Sequence, residues 1–118
     1  MELNKPKNIA VIGGGSWATA IVKMLSENLD EIGWYMRSEY VKEHLLKEQH
    51  NPSYLSSVEF KTEQLKLSND INELADWADV LIFVIPSAFM HSELEKLTVD
   101  ISQKTIVSAV KGIMPQSG

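Results

Sequence analysis

The chain has 118 residues, a length typical of one domain, and 44% of them are hydrophobic, which is enough to form a core. The net charge of −5 and the lack of a Lys/Arg-rich segment argue against nucleic acid as the main partner. The absence of cysteine excludes disulfides, thiolate catalysis and Cys-ligated zinc, and it fits a reducing cytoplasm.

The sequence shows no sign of membrane insertion or secretion. The first residues, "MELNKPKN", contain no apolar segment of the kind found in signal peptides. The longest apolar run, Val80 to Pro86, is far too short to span a bilayer. We therefore expect a cytoplasmic protein without membrane insertion.

The first half of the chain predicts two strand–helix units. Ile9–Ile12 is a short apolar run ended by glycine, which is typical of a buried strand. From Ala18 the apolar residues follow a helical spacing. Ile32–Met36 reads as a second strand, and Ser38 is expected to cap a helix that ends near His50. The expected inward positions are Ala18, Ile21, Val22 and Leu25 in the first helix and Val41 and Leu45 in the second.

The second half continues the alternation. A short strand is predicted at Leu65–Ser68, followed by a helix that Asp70 caps, with Ile71, Leu74 and Ala75 facing inward. Val80–Ile85 has the apolar, β-branched composition of a central parallel strand. Pro86 ends it, and Ser87 is expected to cap a helix with an inward stripe of Met90, Leu94 and Leu97. Thr105–Val110 is the last predicted strand.

Alternating strands and helices predict an α/β fold, a doubly wound parallel sheet of the Rossmann type in a single domain. Ligands of such sheets bind beyond the carboxyl ends of the strands.

The segment Gly13-Gly14-Gly15-Ser16-Trp17-Ala18 fits the G-x-G-x-x-G/A fingerprint of dinucleotide-binding domains, between the first strand and the first helix. Gly13 would permit the tight exit from the strand, and Gly15 would let a diphosphate approach the backbone. The N–H groups around Ser16 and Trp17 would then face the phosphates. The alternative is a glycine-rich turn without a ligand.

Two cations stand at expected strand ends. Arg37 follows the second strand, where an acidic residue normally binds the adenosine ribose. Arginine there suits a 2′-phosphate and favours NADP over NAD, unless Arg37 is only a solvated loop residue. Lys111 follows the last strand, where it could attract a phosphorylated substrate or simply be solvated. The three histidines have no ligand spacing, so we expect no metal site.

Several segments together resemble one enzyme family. "VIGGGSWATAI", "WYMR", "NPSYL", "LSNDINELADWADVLIFVIPS" and "VSAVKGI" are similar, in that order, to the amino-terminal domain of bacterial NAD(P)-dependent glycerol-3-phosphate dehydrogenase. The resemblance extends over residues 1–118 as an NAD(P)-binding Rossmann domain. It implies that Ser16 and Trp17 contact the cofactor phosphates and that Arg37 lies beside the adenosine ribose.

The resemblance implies three further site residues. Tyr54 matches an aromatic residue that lies over the cofactor, and Phe89 matches an aromatic residue near the nicotinamide half. Lys111 matches the lysine that contacts both cofactor and substrate. The chain departs from the family at Gly14 and Ala18, where alanine and glycine are usual, and at Met36, where many members have a polar residue. The last difference would weaken the 2′-phosphate contact, so either NADP or NAD is expected as cofactor.

The activity implied by the resemblance is the interconversion of dihydroxyacetone phosphate and sn-glycerol 3-phosphate with NAD(P)H, which feeds glycerophospholipid synthesis. In the family a carboxy-terminal helical domain carries the catalytic lysine, and this sequence does not include that domain. We therefore expect a fragment that contains no catalytic residue, that binds cofactor without turnover, and that belongs to a full-length enzyme forming a homodimer.

Two other functions remain open at this stage. A ketopantoate or 3-hydroxyacid type of NADPH reductase has a similar glycine loop and a similar proline after the fourth strand. A non-catalytic module that senses nucleotides would also need only the cofactor-binding half.

Overall fold

The computed structural model describes residues 7–49 and 60–109, with only the backbone described for Ser16 and Ser87. Within these ranges five strands and four helices alternate, and a short 3₁₀ turn at Thr62–Gln64 precedes the third strand. The elements are β1 (Ile9–Ile12), α1 (Ser16–Ser26), β2 (Ile32–Tyr35), α2 (Glu39–Glu48), β3 (Leu65–Ser68), α3 (Ile71–Trp77), β4 (Val80–Phe83), α4 (Ser87–Leu94) and β5 (Thr105–Ser108).

The five strands form one parallel sheet in the order β3-β2-β1-β4-β5. The chain winds outward from β1 to one edge through β2 and β3, and then crosses back to place β4 on the other side of β1. This is the strand order of the Rossmann fold, so the predicted fold class is confirmed. The order reverses between β1 and β4, and a crevice opens at the carboxyl ends of these two strands.

Side chains of alternating direction along β1 supply two separate cores. Ala10 and Ile12 belong to a cluster with the buried residues of α3, while Val11 belongs to a second cluster with Ala18 of α1 and Leu45 of α2. Because successive side chains of a strand point to opposite faces, these clusters lie on the two sides of the sheet. Helices therefore cover both faces, as the sequence predicts.

Several predicted elements, β5 among them, are longer than the observed ones. β2 ends before Met36 and β4 ends before Val84, although Met36, Val84 and Ile85 are all buried. β4 pairs with Ile9–Ile12 of β1, and beyond that level β1 has already turned into the glycine loop, so Ile85 has no strand partner. The second helix ends at Glu48 because Gln49 adopts a left-handed conformation, with φ 66°.

The caps of α2 and α3 are confirmed. The Ser38 hydroxyl accepts from the N–H of Val41, and the Asp70 carboxylate accepts from the N–H of Asn72. β5 ends at Ser108 rather than at the predicted Val110, which lies outside the described residues.

The predicted start of α4 is wrong by one residue, and of its predicted inward residues Met90 and Leu97 pack against the core whereas Leu94 does not. Pro86 occupies the N-cap position and Ser87 is the first helical residue. Leu94 is 41% exposed, whereas Glu93 is only 1% exposed and faces the interior with Met90. A carboxylate can occupy this inward position because Tyr35, Arg37 and Lys96 surround it.

None of the helices within residues 7–49 and 60–109 has the length and apolarity that crossing a bilayer requires.

The exit from β1 depends on Gly13. Its φ of +144° is rare for residues with a Cβ, and a Cβ built there would collide with the carbonyl group of Val84. Two residues later, Gly15 has an extended backbone, with φ −81° and ψ −173°, which any residue can adopt. A Cβ at Gly15 would meet no atom within 4 Å.

We therefore expect Gly13→Ala to lower the free energy of unfolding by at least about 2 kcal/mol, through the unfavourable φ and the clash with Val84. Gly15→Ala, the same chemical change two residues away, should alter it by less than about 0.5 kcal/mol. Urea denaturation followed by circular dichroism measures both. Equal stabilities of the two variants would contradict this account of the turn.

Candidate functional site

A cleft of about 640 Å³ lies at the carboxyl ends of β1, β2 and β4, where the strand order reverses. This volume is within the range of small-molecule and cofactor sites. The glycine loop forms one wall, the end of β2 and the start of α2 a second, and the segment from β4 into α4 a third. The lining residues are Gly13, Gly14, Gly15, Trp17, Ala18, Tyr35, Met36, Arg37, Ser38, Tyr40, Val41, Val84, Ile85, Pro86, Phe89 and Glu93.

Two hydrogen bonds fix the glycine loop (residues 13–15) to β2, one at the N–H and one at the carbonyl oxygen of Gly13. The N–H of Gly13 donates to the carbonyl oxygen of Tyr35 at 2.9 Å. The buried indole N–H of Trp34 donates to the carbonyl oxygen of Gly13 at 2.6 Å. The loop therefore has a set position relative to the end of β2, and both contribute to the same cleft.

The amino terminus of α1 opens into the cleft at Gly15. Gly15 is the N-cap residue and provides no side-chain cap, and the first turn contains no acidic residue. The first amides of a helix have no acceptor within it, and the helix dipole places partial positive charge there. The space beside Gly15 is open, so this end of the helix can bind an anion through its backbone.

Trp17 connects α1 to the chain that follows β5. Its side chain is 45% exposed, and its indole N–H donates to the carbonyl oxygen of Ala109 at 3.0 Å. Ala109 follows β5, and its own N–H donates to the carbonyl oxygen of Phe83 in β4. The first turn of α1 is thereby attached to the end of β5.

Arg37 lies at the exit of β2, as the sequence predicts. Its backbone neighbour Met36 is held by β3, because the Met36 N–H donates to Ser68 and the Asn69 amide donates to the Met36 carbonyl oxygen at 2.8 Å. The guanidinium carbon of Arg37 lies 5.6 Å from the centroid of the Phe89 ring, a cation–π distance. The Arg37 side chain remains 59% exposed.

Glu93 and Tyr35 form a buried polar pair behind Arg37. The Tyr35 hydroxyl donates to Glu93 Oε1 at 2.7 Å, while Glu93 Oε2 lies 3.1 Å from Lys96 Nζ and 3.6 Å from Arg37 Nε. Burial, and secondly the hydrogen bond to Glu93, raise the pKa of the Tyr35 hydroxyl well above its usual range. Tyr35 therefore stays a proton donor to Glu93 at neutral pH.

The structure brings together the predicted site residues that it describes. Gly13, Gly15, Trp17, Arg37 and Phe89 all line the cleft. The backbone of Ser16 begins α1 at the same place. Tyr54 and Lys111 lie outside the described residues, and their predicted roles stay predictions.

Two residues of the site, Tyr35 and Glu93, are not predicted from the sequence. Tyr35 reads as part of a strand core, and Glu93 reads as a solvated position on a helix, so neither has a local signal. Only the three-dimensional arrangement of β2 and α4 brings them together.

Comparisons with known proteins agree with this geometry. A family model described as NAD-dependent glycerol-3-phosphate dehydrogenase N-terminus matches residues 8–118. A glycerol-3-phosphate dehydrogenase [NAD(P)+] of Nitratidesulfovibrio vulgaris is 35% identical over 89% of this chain and 32% of its own length. The corresponding protein of Pseudomonas syringae is 31% identical over 92% of this chain and 32% of its own.

Solved structures show the same fold. The glycerol-3-phosphate dehydrogenase of Saccharomyces cerevisiae superposes with a TM-score of 0.80 at 25% identity, over 92% of this chain and 34% of that one. The chain thus spans about a third of the length of the relatives that it matches. The chain belongs to the family of NAD-dependent glycerol-3-phosphate dehydrogenase amino-terminal domains.

Proposed function

We propose that this chain is the NAD(P)-binding part of an enzyme that interconverts dihydroxyacetone phosphate and sn-glycerol 3-phosphate. The observation that carries the proposal is the open space at Gly15, in front of a helix end without a side-chain cap or an acidic residue. Glycine is not required there by backbone conformation or by packing. Room for a ligand explains its presence.

The residues of the cleft suit the separate parts of a dinucleotide. The amides around Ser16 and Trp17 would bind the diphosphate at the amino terminus of α1. Arg37 would lie beside the adenosine ribose, where its guanidinium can accept a 2′-phosphate. When bound, the nicotinamide supplies the hydride that the reaction needs, and this domain supplies binding and orientation.

Other predicted contacts extend this scheme. Phe89 lies in the cleft wall 5.6 Å from the guanidinium carbon of Arg37, so we infer that it would contact the cofactor nearer the adenosine ribose than the nicotinamide half that the resemblance implies. Tyr54 would cover the cofactor. Lys111 would contact both cofactor and phosphorylated substrate. The bond between Trp17 and Ala109 supports this role, because it attaches the chain two residues before Lys111 to the phosphate-binding turn.

The activity of the whole enzyme is inferred from the family. Relatives about three times as long are glycerol-3-phosphate dehydrogenases, which favours this reaction over a ketopantoate-type reductase or a nucleotide sensor. We infer that a further helical domain supplies the catalytic lysine. We further infer that the full-length enzyme is a cytoplasmic homodimer and that its product enters glycerophospholipid synthesis.

Gly15→Val should abolish cofactor binding without affecting the fold. The branched side chain would fill the open space that the diphosphate needs, and we expect binding of NADPH and NADH to weaken at least about tenfold. The free energy of unfolding should change by less than about 0.5 kcal/mol, because nothing lies within 4 Å of the new Cβ. Fluorescence titration with either cofactor measures the affinity. Failure of the unaltered chain to bind at about 1 mM cofactor would overturn the proposal.

Arg37→Ala should weaken NADPH more than NADH. Loss of a charge-assisted contact to a phosphate costs roughly 1.5–3 kcal/mol, which corresponds to about 10- to 150-fold in the dissociation constant of NADPH. NADH has a hydroxyl at that position and should weaken less than about threefold. Lys47→Ala, on the exposed face of α2, removes the same charge away from the cleft and serves as control. Equal weakening of both cofactors would mean that Arg37 does not contact the 2′ position.

A further inference from the structure

The buried carboxylate of Glu93 has no part in the function proposed above. It is 1% exposed, and the Tyr35 hydroxyl and Lys96 Nζ hold its two oxygens at 2.7 and 3.1 Å. Burying a carboxylate is unfavourable unless its charge is paired and its oxygens are hydrogen-bonded. An apolar residue on this inward face of α4 would avoid the desolvation cost. The carboxylate at this position is therefore expected to have a role at the cleft.

Besides Tyr35 and Lys96, Glu93 lies close to the guanidinium of Arg37. Glu93 Oε2 lies 3.6 Å from Arg37 Nε, and the Phe89 ring lies 5.6 Å from the guanidinium carbon. Arg37 is the only arginine in the sequence. Among the described residues that line the cleft, Arg37 and Glu93 are the only two of the Asp, Glu, Lys and Arg types. A negative charge thus lies directly beside the cation that would face the adenosine ribose.

The fold therefore combines two features that usually occur separately. In dinucleotide-binding domains an acidic residue at the end of the second strand suits a ribose 2′-hydroxyl, and an arginine suits a 2′-phosphate. Here the arginine follows β2, and the acidic residue reaches the same place from α4, which is distant in sequence.

We propose that Glu93 is a positioning residue that sets cofactor specificity, lowering the preference for a 2′-phosphate by neutralising part of the charge of Arg37. The inference rests on the proposed function, since it needs a dinucleotide in this cleft. Glu93 does not touch the cofactor, and it acts through Arg37 and through its own field.

The groups that hold Glu93 in place determine that its charge weakens, rather than strengthens, the binding of a 2′-phosphate. Tyr35 and Lys96 fix the carboxylate independently of Arg37, so its charge stays in place when a ligand engages the guanidinium. A 2′-phosphate would then lie close to a fixed negative charge in a partly enclosed cleft, where charges are screened less than in bulk water. A 2′-hydroxyl is neutral, and NADH should be nearly insensitive to that charge.

The test is Glu93→Gln, because glutamine keeps the side-chain length and an oxygen that can accept from Tyr35. We expect the dissociation constant of NADPH to fall by about threefold to thirtyfold, and that of NADH to change by less than about twofold. The gain should shrink as ionic strength rises from about 0.05 M to about 0.5 M. A merely structural role of Glu93 would not change the ratio of the two affinities.

Glu95→Gln is the matched control. It removes the same charge from the end of the same helix, but the Glu95 side chain is 65% exposed, pairs with His91 and does not line the cleft. Its NADPH-to-NADH affinity ratio should equal that of the unaltered chain.

Lys96→Gln provides a second variant that does not alter a buried residue. It removes a cation that compensates Glu93, and the NADPH-to-NADH affinity ratio should fall by about twofold to tenfold. Lys61→Gln, an exposed position before β3, controls for the change in net charge.

The outcomes separate this inference from the proposed function. An unchanged affinity ratio in Glu93→Gln, or weaker NADPH binding, would overturn the role of Glu93 alone. If Glu93→Gln does not fold, an unchanged ratio in Lys96→Gln would overturn it. If the unaltered chain binds neither cofactor, the proposed function fails and this inference fails with it.

Discussion

The site depends on one residue, Gly13, because β2 binds both its backbone N–H and its carbonyl oxygen. The backbone of Tyr35 accepts its N–H, and the indole of Trp34 donates to its carbonyl oxygen across 21 residues of sequence. These bonds fix the turn from β1 into α1 relative to the end of β2. The amino terminus of α1 and the side chain of Arg37 therefore reach the same cleft in a set geometry, which a ligand with two separated anionic groups requires.

The glycines of one motif serve different purposes. Gly13 is required by the fold, because its positive φ and its contact with Val84 exclude a side chain. Gly15 is not required by the fold, since its backbone is extended and its surroundings are open. A glycine that the structure does not need indicates a ligand more strongly than one that a tight turn explains. The proposed cofactor binding is therefore supported by Gly15 more than by the motif as a whole.

Much of this fold could be predicted from the sequence, because its signals are local. Apolar runs ended by Gly13 and Pro86 locate β1 and β4, and the caps Ser38 and Asp70 locate two helix starts. The positions of strand ends are predicted less accurately, since they depend on where the neighbouring strand stops. Val84 and Ile85 have strand composition and are buried, but β1 has left the sheet beside them.

The burial of Glu93 on the inward face of α4 could not be predicted, for a different reason. Helical periodicity favours Leu94 as the buried residue, and nothing near Glu93 in sequence suggests that its charge is compensated. Two of the compensating groups are distant in sequence, Tyr35 at the end of β2 and Arg37 just after it, and only Lys96 is local. A charged residue is predicted to lie on the surface when its ionic and hydrogen-bonding partners are distant in sequence, because local sequence does not reveal them.

The same limitation applies to reading cofactor preference from the residue after β2. By itself, Arg37 favours a 2′-phosphate, because a guanidinium binds phosphate through charge-assisted hydrogen bonds. The field at a bound ribose, however, would be the sum of all nearby charges, and a carboxylate 3.6 Å from Arg37 Nε would contribute to it as well. In the role proposed for Glu93, specificity in this cleft would depend on α4 as well as on the residue that follows β2. A dinucleotide domain with the same motif and the same arginine, but with an apolar residue in place of Glu93, would present a more positive surface to the same ligand.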